Sequence, residues 1–236
     1  ARCGLVAVCV GDAEPWVPGD PAVMTRRCNE AVPVLPGLGM TGRQLGLRPS
    51  SRGQPGGSNA ETFSYPTINP PLTENARRLR RSIDALPADV VHLVGHSLGG
   101  VLALQMLNLF PTDKVGRIVC LGSPLVDSSA ARHLARWRVG RKIIGRTLSE
   151  GVFHQPLIST DGSHDVGVIA GSVAVGLGAV VGKLESPHDG VVTVRETQLS
   201  GVTEHIVMPV NHVGLVFSSK VADQTAHFLR FGRFRA

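Results

Sequence analysis

Cysteine is scarce in this chain, and the few cysteines form no recognisable site. Cys3, Cys9, Cys28 and Cys120 match no metal-ligand spacing, and a chain of 236 residues can fold without disulfide staples. Cys120 falls within an apolar strand pattern, where it is expected to serve as a small core residue. We therefore predict no metal site and no cofactor that depends on thiolates, and the cysteines favour a reducing, cytoplasmic location.

Long apolar runs and dense runs of positive charge are also missing. The net charge is +6, from 24 Lys and Arg against 18 Asp and Glu, but the basic residues are dispersed and no zinc-finger spacing occurs. The longest stretch without charge, residues 166–182, has 17 residues with five glycines, whereas a bilayer span needs ~20 apolar residues. We therefore expect no nucleic-acid partner and no membrane span.

What the chain does contain is a strand–helix alternation typical of one α/β domain. Residues 1–31 show no clear periodicity and are predicted to be poorly structured, and residues 32–236 are predicted to form the domain. Uncharged or alternating segments predict strands at 32–35, 62–65, 90–94, 117–121, 166–170 and 205–210. Apolar residues at steps of three and four predict helices at 72–86, 98–109 and within 213–231. This alternation predicts a mainly parallel central sheet flanked by helices.

The strongest motif is Gly95-His96-Ser97-Leu98-Gly99, which directly follows an apolar strand and precedes a helix. A serine hydroxyl is a poor nucleophile and needs a base together with donors for the developing oxyanion. In a G-x-S-x-G turn the glycines make room for a strained strand-to-helix bend that exposes the serine. Ser97 is therefore the candidate nucleophile, and His96 is expected to shape the bend.

A base should follow in the chain, and His212 is the candidate. It comes just after the last predicted strand, at the carboxyl end where Ser97 also lies. His205 is the rival, but it stands at the beginning of that strand and thus at the opposite edge. His164 and His188 precede the strand.

An acid is needed to orient the histidine, and Asp189 is the candidate. It follows the strand at 166–170 after a loop, and Gly190 allows a sharp turn there. Asp165 and Asp161 precede their strand and therefore point to the far edge. The predicted chain order is Ser97, Asp189, His212.

Two backbone N–H groups are the expected oxyanion donors. One is that of Leu98, the residue after the nucleophile, and the other should come from the turn after the first core strand. That turn reads Pro36-Gly37-Leu38-Gly39, and Leu38 is its best candidate.

The same turn also fits a second class of protein. Gly37, Gly39 and Gly42 match G-x-G-x-x-G after a strand, and Glu61 falls where an acidic ribose ligand could lie. A dinucleotide-binding protein is thus an alternative. It is disfavoured because residues 43–60 contain no convincing helix whose N-terminus could face a pyrophosphate.

Taken together, the chain resembles bacterial α/β-hydrolases of the lipase and esterase type over roughly residues 32–235. The resemblance rests on four segments, which are Val91–Gly100, Leu121–Pro124, Pro187–Val192 and Asn211–Gly214. It implies a cofactor-free serine hydrolase that cleaves carboxylic esters through an acyl-enzyme, with Ser97, His212 and Asp189 in the catalytic roles. It also implies a small helical cap at about 125–165 and a small-molecule or lipid ester as substrate.

The chain departs from that family pattern in two places. Pro36-Gly37 stands where His-Gly is common in the oxyanion turn, and residues 43–61 lack the expected helix and strand entry. A shifted reading frame over this stretch is one hypothesis, and a fold relative with weak or no catalysis is an alternative function. The basic, partly apolar segment 131–137 favours a cap helix over the site, with contact to an anionic lipid surface as the other interpretation.

Overall fold

The computed structural model describes residues 30–37, 63–67, 69–135, 157, 160, 162–175 and 184–236. Within them, six parallel strands form one sheet. The strands are β1 (Glu30–Ala31), β2 (Val34–Leu35), β3 (Val90–His96), β4 (Val115–Leu121), β5 (Val166–Gly171) and β6 (Glu204–Met208). The predicted mainly parallel α/β fold is therefore confirmed.

The order of the strands brings their carboxyl ends to one edge. Both β1 and β2 pair with β3, and β4, β5 and β6 follow side by side. His96 is in register with Leu121, and Leu121 with Ile169, so the loops after β3, β4, β5 and β6 all leave from the same edge. This is the edge at which the sequence places Ser97, Asp189 and His212.

Helices cover both faces of the sheet. They are α1 (Leu72–Ala85), α2 (Leu98–Leu109), α3 (Ser129–Ala135), α4 (Gly214–Phe217) and α5 (Ser219–Phe231), with a 3-10 turn at Arg195–Thr197. Successive strand residues point to opposite faces, so Leu93 packs with α1 and α2 while its neighbour Val94 packs with α4 and α5. A sheet buried on both faces explains the nearly uncharged strands.

Two strand predictions need correction. The predicted strand at 32–35 is interrupted, because Pro33 has no N–H to donate to a ladder and separates β1 from β2. Residues 63–65 form no strand, although the N–H of Phe63 donates to the carbonyl of Val34 at 3.1 Å. No ladder can continue from this single hydrogen bond, because Pro66 has no N–H to donate.

Part of the chain near the predicted domain and cap boundaries is described by the structure. Glu30 and Ala31 already pair with Val90 and Val91, so the folded domain begins before residue 32. Helix α3 lies within the predicted cap at 125–165, most of which falls outside the described residues. No helix in the described part of the chain is long and apolar enough to cross a membrane.

Candidate active site

Ser97 occupies a strained turn between β3 and α2. Its backbone has φ 54° and ψ −121°, and among the described residues other than glycine it alone has a positive φ. Such backbone geometry is costly and concentrates at functional sites. The turn is held by a hydrogen bond of 2.8 Å from the N–H of Ser97 to the carbonyl of Leu121.

The glycines of the motif are there because no side chain fits. A Cβ on Gly95 would lie 2.4 Å from the nitrogen of Gly100, and one on Gly99 would lie 2.2 Å from the carbonyl oxygen of Leu35. Both contacts are with backbone atoms, which cannot move aside cheaply. The bend at Ser97 therefore depends on glycine on both sides.

Two hydrogen bonds join Asp189 and His212. His212 Nδ1 lies 2.7 Å from Asp189 Oδ2, and the backbone N–H of His212 donates to the carbonyl of Asp189 at 2.8 Å. The other carboxylate oxygen accepts the N–H groups of Val191 and Val192 at 2.9 and 2.7 Å. The Asp189 carboxylate is thus buried yet fully hydrogen-bonded, and it keeps the proton of His212 on Nδ1, which leaves Nε2 as the basic nitrogen.

Two glycines make room for this pair. Gly122, the residue after β4, has φ +53°, and a Cβ there would lie 3.0 Å from Asp189 Oδ2 and 3.2 Å from His212 Nδ1. A Cβ on Gly171, at the end of β5, would lie 2.8 Å from the Cβ of Asp189. The Asp189–His212 pair therefore lies directly on the carboxyl ends of β4 and β5.

His96 connects the bend at Ser97 to the loop that carries His212. Its Nε2 donates to the carbonyl of His212 at 3.1 Å, and the two imidazole rings lie 4.7 Å apart between centroids. Burial, with the neighbouring His212 as a lesser cause, lowers the pKa of His96 to about 3. The ring is therefore neutral and its single proton is on Nε2.

The predicted oxyanion donors are placed only in part. Leu98 is the first residue of α2, where an N–H has no partner within the helix and belongs to the positive end of the helix dipole. Gly37 lies against Ser97, since a Cβ on it would be 2.9 Å from the Cβ of Ser97. Leu38, the predicted second donor, lies outside the described residues.

The rival residues lie elsewhere or have other partners. His205 Nε2 contacts the hydroxyl of Thr197 at 2.8 Å, and that hydroxyl donates to the carbonyl of Val194. Asp165 forms an exposed ion pair of 3.2 Å with Arg117. His188 accepts the N–H of Gly190 within the Asp189 loop, and Asp161 lies outside the described residues.

Of the three glycines in the alternative dinucleotide-binding motif, the described residues include only the first, Gly37. Gly37 packs on Ser97 and His96, as expected for a turn that borders the candidate nucleophile. Gly39, Gly42 and Glu61 lie outside the described residues.

Sequence reasoning did not single out two residues of this region. Gly122 was recognised only as part of a family segment, although a glycine directly after a strand at the same edge as Ser97 could have indicated a close approach. Tyr65, whose hydroxyl donates to the carbonyl of Pro36 at 2.7 Å, gave no sequence signal, because its partner is 29 residues away.

The chain belongs to the alpha/beta hydrolase family, which it matches over residues 11–191. That match includes Ser97 and Asp189 and ends before His212. In three dimensions the chain is similar to the lipase BlEst2 of Bacillus licheniformis in its mature form, with a TM-score of 0.66 and 16% identity over 94% of this chain and 96% of the lipase.

Two further structures are similar at comparable identity. The metagenomic carboxyl esterase MGS0156 gives a TM-score of 0.57 at 15% identity, covering 98% of this chain and 79% of the esterase. The phospholipase PlaB of Legionella pneumophila gives 0.60 at 14% identity, covering 85% of this chain but only 57% of the phospholipase. At these identities the likeness establishes a shared fold.

Proposed function

We propose that this hydrolase cleaves carboxylic esters of a small molecule or a lipid, with Ser97 as nucleophile, His212 as general base and Asp189 as the acid that orients it. The observation that carries the proposal is the buried Asp189–His212 pair, with 2.7 Å between Oδ2 and Nδ1. It lies at the sheet edge from which the strained Ser97 also projects. Fold relatives that are a lipase and a carboxyl esterase support an ester substrate.

The proposed reaction gives each of these residues one role. Ser97 Oγ attacks the ester carbonyl carbon while its proton passes to His212 Nε2, and the negative charge moves to the carbonyl oxygen. When the carbon–oxygen bond to the alcohol breaks, His212 returns the proton to the departing alcohol and an acyl-enzyme remains. Water then repeats the sequence, with its proton taken by His212, and releases the acid and free Ser97.

Stabilisation of the oxyanion falls to backbone N–H groups at the start of α2 and in the turn that begins at Pro36-Gly37. The N–H of Leu98 is fixed by the helix and needs no rearrangement during the reaction. Asp189 keeps its charge throughout and stabilises the imidazolium that forms on His212. All of these groups belong to the chain itself.

The test is labelling of the purified chain with a fluorophosphonate probe, followed by peptide mapping and by hydrolysis of p-nitrophenyl butyrate. We expect the modification on Ser97 and loss of both labelling and hydrolysis in Ser97→Ala. Ser172→Ala is the matched control, since that hydroxyl lies at the end of β5 and donates to the carbonyl of Met208. Hydrolysis that survives in Ser97→Ala, or a folded wild type that hydrolyses no ester, would overturn the proposal.

A further inference from the structure

The turn beside the proposed nucleophile is held through a carbonyl. Pro36 has no N–H, so another group can form a hydrogen bond with the backbone of Pro36 only through its carbonyl oxygen. The hydroxyl of Tyr65 donates to that oxygen at 2.7 Å, and both residues are buried. Tyr65 is the only tyrosine in the chain.

Tyr65 is itself fixed from several directions. The N–H of Phe63 donates to the carbonyl of Val34 at 3.1 Å, and the ring of Phe63 stacks on that of Tyr65 with 5.9 Å between centroids. On the other side, the side chain of the fully buried Asn75 donates to the carbonyl of Pro66 at 2.9 Å. The segment that carries Tyr65 is therefore anchored to strand β2 on one side and to helix α1 on the other.

The peptide unit that Tyr65 holds touches the nucleophile. The atoms from the Cα of Pro36 to the Cα of Gly37 move as one plane, so fixing the carbonyl also fixes Gly37. A Cβ on Gly37 would lie 2.9 Å from the Cβ of Ser97 and 3.1 Å from Nδ1 of His96. A change in the tilt of this plane would therefore displace the start of the oxyanion turn relative to Ser97.

We propose that Tyr65 is a positioning residue for catalysis, which orients the Pro36–Gly37 peptide and so aligns the oxyanion turn with Ser97. The inference rests on the proposed function. Burial raises the pKa of Tyr65 well above its usual range, so the phenol stays protonated and donates throughout the working pH range.

The test compares Tyr65→Phe, which removes one oxygen atom and keeps the ring, with the wild-type chain on p-nitrophenyl butyrate. We expect kcat to fall about tenfold because a small displacement of a catalytic donor is costly, with KM changed by less than about twofold. The affinity for an alkyl trifluoromethyl ketone, whose adduct with Ser97 carries an oxyanion, should weaken by the same factor as kcat/KM.

Thr225→Val is the matched control for a merely structural effect. The hydroxyl of Thr225 is also buried and also donates to a backbone carbonyl, that of Val221 at 2.8 Å within α5. We expect this variant to lower the melting temperature while kcat and the ketone affinity stay at the wild-type values.

Three results would overturn the role of Tyr65. One is an unchanged kcat in Tyr65→Phe. Another is a loss that is shared by Thr225→Val or that tracks the melting temperature alone. The third is a loss confined to KM. Hydrolysis that does not depend on Ser97 would instead overturn the proposed function, and the role of Tyr65 with it.

Discussion

The side chain of His96 is bound to the backbone of His212, with 3.1 Å between Nε2 and the carbonyl oxygen. The residue before the proposed nucleophile thus holds the proposed base by its main chain. His96 is neutral, with its pKa lowered to about 3 mainly by burial, so its single ring proton is the one donated to His212.

Removal of this bond should reduce turnover more than substrate binding. In His96→Phe a ring of similar size remains without a donor, and we expect kcat to fall about tenfold from misplacement of the imidazole. His96→Gln offers an amide N–H and should recover part of the loss. Initial rates on p-nitrophenyl butyrate would measure both, and equal rates for the two variants would contradict the positioning role of the hydrogen bond.

Gly122 should tolerate no side chain. In Gly122→Ala the new Cβ would lie 2.5 Å from Cδ1 of Leu215 and 3.0 Å from Asp189 Oδ2, at φ +53°. We expect a loss of at least about 1 kcal/mol in the free energy of unfolding from the backbone alone, a further loss from overpacking, and a fall in kcat as the Asp189–His212 pair is displaced.

Gly162→Ala is the control for that prediction. Gly162 also has a positive φ, +75°, but a Cβ there would meet nothing within 4 Å. Denaturant unfolding should therefore show backbone strain of similar size in Gly162→Ala, with kcat unchanged. An equal loss of kcat in both variants would argue against contact with the catalytic pair as the cause.

Replacing each of the two candidate acids, Asp189 and Asp165, by asparagine should have very different effects on kcat. Asp189→Asn leaves the shape but removes the charge that holds the Nδ1 proton, and we expect kcat to fall by about 10²–10⁴-fold. Asp165→Asn only breaks an exposed pair with Arg117, worth about 0–1 kcal/mol of stability, and should leave kcat intact. Steady-state kinetics of the two variants would check this, and full activity in Asp189→Asn would exclude it as the acid.

Buried His92 should make the fold sensitive to acid. Burial, with the nearby Arg117 as a lesser cause, lowers its pKa to about 4 in the folded chain, against about 6.5 when unfolded. Between these values the unfolded chain binds a proton that the folded chain does not, so stability is intact above pH ~6.5 and falls as the pH falls towards 4.

His92→Asn should flatten this dependence. The amide oxygen can still accept the N–H of Arg117, which His92 Nδ1 accepts at 2.7 Å, but it does not titrate. Denaturant unfolding at pH 7.5 and 4.5 should show a drop that is smaller than in the wild type by about 2 kcal/mol. A drop of equal size in both chains would mean that His92 does not contribute.

Local sequence patterns predicted much of the fold and some of the residues of the candidate site. Helix α2 begins at Leu98 and ends at Leu109 as predicted, because an uninterrupted apolar pattern follows a motif that fixes where the chain bends. The placement of Asp189 and His212 beyond β5 and β6 followed from the rule that parallel strands end at one edge. The structure brings these two residues to within 2.7 Å of each other, between Asp189 Oδ2 and His212 Nδ1.

What escaped prediction depends on contacts between distant segments. The pattern at 62–65 favours a strand, yet Phe63 makes one backbone bond to β2 and Tyr65 then turns its hydroxyl to Pro36. The interruption at Pro33 could have been foreseen from its missing donor. At Gly122 the sequence could indicate only a close approach at the edge that carries Ser97. Its partners, Asp189 and His212, come together there only when β4 lies between the strands that carry Ser97 and His212.

Under the proposed function, the order of the strands makes ester hydrolysis a measure of completed folding. Ser97 leaves the sheet after β3 and His212 after β6, with β4 and β5 between them, so the proposed nucleophile and base can approach each other only after four strands have aligned. Such distant pairings form late compared with local helices. During refolding, recovered hydrolysis would thus follow the docking of the last strand, and would lag behind the helical signal of α1 and α2.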